Sequence, residues 1–286
     1  MQHSERLSNH EMSSIDQTRI GVIGLGKMGG ILVRALLDQG FVSAKQIRAT
    51  VRPDSPIESL GGEFGISVSS DNRELAEWAD LILLAVKPGT VCEVAKAIAP
   101  SLNREKLVVS VAASVSTEMI EKALEAEVPV IRAMPNTPCL VGSGMTAVCR
   151  GRYADKAQLE LVSELFTAVG RSVIIDEKHF NAVTGLSASG PAFIYIILES
   201  LAEAGVKVGL PRDVATLLAA QTTLGASQVV LETGNHPALL KDIVTTPAGC
   251  TIDGILELEE GKLRVTLIKA VVKATERAKE LVKING

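Results

Sequence analysis

Residues 19–29, RIGVIGLGKMG, join a buried-strand signature to a glycine turn and then to an amphipathic helix. Ile20, Val22 and Ile23 form the short apolar run of a central parallel strand covered on both faces. Gly24, Gly26 and Gly29 follow in G-x-G-x-x-G order. In that fingerprint the first glycine permits a tight turn. The second lets backbone approach a pyrophosphate, and the third lets the helix pack close to the strand. Met28, Ile31, Leu32, Ala35 and Leu36 then fall on one helical face, with Gly40 as the stop. The N-terminus of this helix points at the anion site.

With 24 glycines in 286 residues, such a pattern arises by chance in roughly one chain in six, so the flanking strand and helix carry the reading. The alternative is a glycine-rich turn that only lets a helix pack on a strand. At 286 residues and 47% hydrophobic content the chain is sized for two domains. A net charge of −4 supplies no basic field for nucleic acid, and 3% aromatic residues supply few stacking surfaces. Cys92, Cys139, Cys149 and Cys250 lack C-x-x-C spacing, and the four histidines are scattered, so no metal site and a reduced protein are expected. Residues 1–18 are polar and read as a disordered tail without a secretory signal, which points to the cytoplasm. Residues 214–231 reach spanning length, but Gln221, Thr222, Thr223, Ser227 and Gln228 are costly against lipid, so no membrane is expected.

Residues 47–51 read as the second strand, after which NAD enzymes carry an acid for the ribose. Here Arg52 stands at the strand end with Asp54 two positions on, which suits a 2′-phosphate and favours NADPH, with NADH as the alternative. A solvated arginine is the ordinary reading of the same residue. Asp71 or Asn72 caps a helix through Trp78. Strands follow at 81–86, 107–112 and 130–133, with helices over 91–98 and after Ser116. Right-handed crossovers gather the carboxyl ends of these strands along one crevice, which "AVKP", "VAAS" and "AMPNTP" should line. Residues 145–149 and 173–175 are further strands, separated by a helix with Ala157, Leu161, Leu165 and Val169 inward and stopped by Gly170. From Glu177 onward only helical runs remain. "AFIYIILESLAEAG" and "VATLLAAQTTLGASQVVL" carry too little charge for an exposed bundle, so these helices are expected to bury against a second subunit.

"GVIGLGKMG", "AVKP", "VIRAMPNTP", "AVTGLSASGPAF", "KVGLPRDVA" and "LKDIVTTPAGCTIDGILELE" stand in an order and spacing that resemble the Δ1-pyrroline-5-carboxylate reductases nearly end to end. The resemblance implies an α/β N-terminal Rossmann domain over 19–176. It is followed by an all-α dimerisation and substrate domain over 177–286, a homodimer and, in many members, a ring of dimers. It implies reduction of 1-pyrroline-5-carboxylate to L-proline, the last step of proline synthesis, by hydride transfer to a cyclic imine.

The cofactor set is then Ile23, Gly24, Leu25, Gly26, Lys27, Met28, Arg52, Asn72, Ala85, Val86, Lys87, Pro88, Ala112, Ala113, Met134, Pro135 and Asn136. The substrate set is Glu177, Thr246, Ala248, Gly249, Cys250 and Thr251, with Thr251 as the catalytic residue on the ring nitrogen. Read from the residues alone, "TTPAGCT" is equally a Pro-Gly loop into a helix capped by Thr251. Ala188, Ala248, Cys250 and Ile243 depart from the family pattern. His179 beside Phe180 reads as structural.

Two rivals make different demands. A β-hydroxyacid dehydrogenase sharing "GLGKMG" needs a catalytic lysine, and none lies between Lys178 and Lys207. A non-catalytic NADPH sensor has no use for the "TTPAGCT" loop.

Overall fold

The computed structural model describes residues 14–285. The chain divides into two compact units, one running to Ala188 and including Ala274–Gly286, the other Ser189–Lys273.

The first unit is a single eight-stranded sheet with helices between its strands. In chain order it comprises β1 (Ile20–Ile23), α1 (Lys27–Asp38), β2 (Ile47–Thr50), α2 (Ile57–Phe64), β3 (Ser67–Ser69), α3 (Asn72–Trp78) and β4 (Leu81–Leu84). It continues with α4 (Val91–Ile98), β5 (Leu107–Ser110), α5 (Thr117–Leu124), β6 (Val130–Met134), β7 (Gly144–Arg150), α6 (Lys156–Thr167), β8 (Gly170–Ile174) and α7 (Phe180–Val183). The strand order is β3-β2-β1-β4-β5-β6-β7-β8. Every pairing is parallel except β6 with β7. The order reverses between β1 and β4, the switch point at which doubly wound sheets bind ligands.

β1, β4 and β5 are buried along their full length, as continuous apolar runs covered on both faces require. One core cluster holds Leu32, Val33, Leu36, Val109, Ile131 and Phe166, a second holds Ile82, Leu84, Val108, Ile120 and Val130, and a smaller third holds Met134, Ala147, Cys149 and Phe180. Lys106 ties strand to helix, its Nζ donating to the carbonyls of Ala76, Glu77 and Ala79 at 2.7–2.8 Å. Those carbonyls close the end of α3, where backbone acceptors lack helical partners.

Several expectations need correction. Residues 1–13 of the expected tail lie outside the described residues. Ser14–Gln17 forms a 3-10 turn whose Ile15 is only 1% exposed, because this apolar side chain completes the core beside Leu36 and Val42. The strands expected to reach Val51, Val86 and Ala112 stop one or two residues earlier, where the chain leaves the ladder to form crevice loops. α2 and β3 were not foreseen. Gly170 opens β8 rather than merely ending the preceding helix. The inward face of α6 is Leu159, Val162, Leu165 and Phe166, so Ala157 is turned outward and only Leu165 of the expected stripe is fully buried within the helix.

The second unit contains α8 (Gly190–Lys207), α9 (Arg212–Thr233), α10 (Pro237–Val244) and α11 (Cys250–Glu260). It also holds the first part of α12 (Leu263–Asn285), whose remainder belongs to the first unit. α8 and α9 pack tightly at Gly205, where a Cβ would meet that of Ala215 at 2.8 Å. Among the described residues of this unit only Ala202, Ala215 and Ala219 are buried.

Candidate active site

The glycine turn has three separate geometries. Gly24 adopts φ +103°, a conformation that L side chains rarely take, and its N–H donates to the Thr50 carbonyl at 2.9 Å. A Cβ at Gly29 would strike the Gly24 carbonyl oxygen, so this position admits α1 against the turn only as glycine. At Gly26 a Cβ would meet nothing within 4 Å. The open space over Gly26, beside the N-terminus of α1, is the cradle a pyrophosphate needs for close backbone approach. Lys27 is exposed there and Met28 is half-buried against the core.

Around this turn the sheet brings together the other strand ends. Ala85 donates its N–H to the Ile23 carbonyl at 2.9 Å, placing Ala85, Val86, Lys87 and Pro88 beside the turn. Ala112 and Ala113 follow β5, and the Ala112 N–H is accepted by Ser110 Oγ at 3.3 Å. Arg52 projects beyond β2 with its side chain 82% exposed, its Nε 3.5 Å from Asp54 Oδ1. Asn72 opens α3, but Asp71 is the cap, accepting the N–H groups of Arg73 and Glu74. A groove of about 390 Å³ lies beside the turn, lined in part by Gly26, Lys27, Gly30 and Leu140. A larger cleft of about 800 Å³ along α5 and the end of β7 contains none of these residues.

Met134 ends β6, Pro135 follows it, and Asn136 is buried just beyond. Asn136 uses both ends of its side chain within the protein. Its Nδ2 donates to the Ser187 carbonyl at 3.2 Å and its Oδ1 accepts the Met145 N–H at 2.9 Å. It thereby anchors the π-helical turn Thr184–Ala188.

Glu177 does not stand free for a substrate. Its Oε1 accepts the Thr117 N–H at 2.8 Å and Arg132 Nη1 at 3.0 Å, and its Oε2 accepts the Thr117 hydroxyl at 2.8 Å. Arg132 lies 4.7 Å over the Phe180 ring, and its side chain is 4% exposed. A buried guanidinium demands an anion, and the first N–H groups of α5 demand an acceptor; Glu177 meets both demands. Sequence reasoning missed this role because Thr117 and Arg132 are 60 and 45 residues from Glu177. Nearby, burial pushes the Cys149 thiol up to about 12, with the Glu177 carboxylate adding to the shift.

The second unit carries the remaining predicted residues in the loop between α10 and α11. Gly249 donates its N–H to the Thr246 carbonyl at 3.1 Å and would strike Thr246 Oγ1 if it had a Cβ. Gly249 is the N-cap of α11, so Thr251 lies inside the first turn and is not the cap. The Thr251 hydroxyl is half-buried and has no partner among the described residues. Ala248 holds φ +57°, the left-handed region, which explains why the family pattern has glycine there. Cys250 is exposed at the start of α11.

A doubly wound sheet with an open glycine cradle at its switch point defines a dinucleotide-dependent oxidoreductase. The family model for pyrroline-5-carboxylate reductase dimerisation matches residues 177–281, and that for NADP oxidoreductase, coenzyme F420-dependent, matches 19–114. The chain is 42% identical to the pyrroline-5-carboxylate reductase of Methanosarcina acetivorans, covering 93% of this chain and 99% of that one. It is 38% identical to the enzyme of Escherichia coli over the same shares. A crystal structure of the Plasmodium falciparum pyrroline carboxylate reductase with NADP bound superposes with a TM-score of 0.85 at 30% identity, covering 94% and 99% of the two chains. This chain belongs to the pyrroline-5-carboxylate reductase family.

Proposed function

We infer that this protein reduces 1-pyrroline-5-carboxylate to L-proline with NADPH. The observation that carries the reading is the end-to-end match to pyrroline-5-carboxylate reductases at 38–42% identity, on a chain that keeps the open cradle at Gly26. NADPH, when bound, supplies the hydride for the imine carbon.

The chain's own work is binding and orientation. The Gly24–Gly26 backbone and the α1 N-terminus hold the pyrophosphate, and Arg52 with Asn72 meets the 2′-phosphate. The strand-end residues Ala85, Val86, Lys87, Pro88, Ala112, Ala113, Met134 and Pro135, with the Asn136 backbone, complete the crevice. In the second unit the backbone at Thr246, Ala248, Gly249 and Cys250 holds the substrate carboxylate. The Thr251 hydroxyl, which has no partner among the described residues, hydrogen-bonds the ring nitrogen as electron density gathers there. A protonated imine brings its own proton, so no histidine or lysine acid is required.

The protein works as a homodimer in the cytoplasm, with residues from Glu177 onward forming the dimerisation and substrate domain. Helices at Glu177–Lys207 and Arg212–Thr233 are long and apolar enough to cross a membrane by length and composition. Both fall within the dimerisation match, and their apolar faces are read as subunit interface. Light scattering without detergent gives the mass of the dimer, or of a ring of dimers.

The test is NADPH consumption on adding the cyclic imine, with proline formed in equal amount. NADPH binding without oxidation would instead favour a sensor.

A further inference from the structure

We propose that Thr50 is a positioning residue: its hydroxyl fixes the amide of Asn72 with the donor end free, and so contributes to the choice of NADPH over NADH. The inference rests on the cofactor reading above. Thr50 ends β2 at 1% exposure and is bonded in two directions. Its carbonyl accepts the Gly24 N–H at 2.9 Å, and its Oγ1 lies 2.6 Å from Asn72 Oδ1. One residue therefore joins the glycine turn to the start of α3.

A buried hydroxyl left without an acceptor is costly, and Asn72 is the acceptor this one has. The reverse amide orientation would set Nδ2 against the hydroxyl and strand its proton. With Oδ1 engaged, what remains of the Asn72 side chain is an NH2 group, which only donates. Nδ2 has no partner among the described residues, and capping of α3 falls to Asp71, so the amide is not needed for the helix.

Arg52, also purely a donor, lies two residues beyond Thr50. Arg52 just beyond β2 and the Asn72 amide, held to the last residue of β2, are both donors, and donors match a phosphate, which accepts through several charged oxygens. A ribose hydroxyl both donates and accepts and gains less from them. Without the Thr50 hydroxyl the amide is free to rotate, and its oxygen would then face the phosphate.

The experiment titrates the intact protein with NADPH, NADH and adenosine 2′,5′-bisphosphate by calorimetry, with a thermal melt for each variant. Thr50→Val should weaken NADPH and the bisphosphate about five- to thirtyfold while moving NADH less than about threefold. Thr50→Ser should restore wild-type affinities. Asn72→Ala should reproduce the loss, and the double variant should lose no more than either single change. Equal losses for NADPH and NADH, unchanged affinities, or additive losses in the double variant would overturn the proposal. If Thr50→Val does not fold, an unaltered NADPH-to-NADH ratio in Asn72→Ala overturns it as well. Failure of the wild-type protein to turn over the cyclic imine, with NADPH still bound more tightly than NADH, would strike the proposed reaction and leave Thr50 in place.

Discussion

In the sheet unit Ile82, Leu84, Val108 and Val130 are sealed from solvent, whereas Leu217, Leu224 and Leu231 in the helical unit are 68%, 50% and 56% exposed. The helical unit does not lack apolar residues. Its only buried side chains among the described residues are three alanines, while Ile243 and Val244 stand 75% and 65% open. The sheet unit closes its own core, so its stability is a property of one chain. At about 1.5–3 kcal/mol for each fully buried Leu or Ile, the uncovered helices forgo much of the stabilisation their sequence offers until a second copy covers them. Leu217, Leu224 and Leu231 recur at seven-residue spacing and so share one stripe of α9.

The sharpest way to break this contrast is a charge on that stripe. Leu224→Glu should abolish the dimer at micromolar concentration and take activity with it, because a buried unpaired carboxylate costs several kcal/mol. Sedimentation should show the mass falling to that of one chain, while far-ultraviolet dichroism keeps the sheet signal. A dimer of normal mass and activity would mean that α9 does not face a second subunit.

The sheet unit has its own weak point, and it should respond without regard to concentration. Glu177→Ala leaves Arg132 buried without its anion, and the expected cost is about 3–5 kcal/mol. Chemical denaturation at two protein concentrations should give the same loss at both. A loss that shrinks on raising the protein concentration would place Glu177 at the subunit interface instead.

The same contrast governs what could be read from sequence. β1, β4 and β5 were legible because a strand covered on both faces must be apolar without interruption. The edge strand β3 was not, since Ser67 and Ser69 face a margin that no core demands. α2 escaped because IESLGGEF carries two glycines and buries no residue fully. The cradle was visible in its three glycines, whose spacing reports backbone shape directly. The bond from Glu177 to Arg132 was not legible because its partners are remote in sequence, and no local pattern records a buried Arg132 in need of an anion. Ile15 was lost inside a polar stretch where a lone apolar residue gives no period.

In the helical unit the next effect should be kinetic. Thr251→Val removes a hydroxyl with no partner among the described residues, so kcat should fall about ten- to thousandfold with NADPH affinity unchanged. Because Gly249 caps α11, the melting temperature should stay near wild type. A lowered melting point with normal kcat would return Thr251 to a structural role.

The smallest effect returns to the sheet unit and concerns acid. Asp80 accepts both the backbone N–H of Arg19 at 2.9 Å and its guanidinium at 2.6–3.0 Å, stapling the chain before β1 to the start of β4. The Arg19 hydrogen bond holds the Asp80 carboxyl below its ordinary range, against an opposing push from partial burial. A carboxyl whose folded value lies below its unfolded value of about 4 stabilises the fold above that pH. The contribution is lost as pH falls through the lower, folded value. Both side chains are more than 40% exposed, so solvent screens the pair and the effect is modest. Asp80→Asn should therefore be slightly less stable than wild type near neutral pH. The difference should narrow below about pH 4 and close once the wild-type carboxyl is protonated. Denaturation midpoints for both proteins, measured at fixed concentration across that range, give the slope. A gap of constant size from neutral pH down to about pH 2 would show that the loss comes from packing around Asp80 and not from its charge.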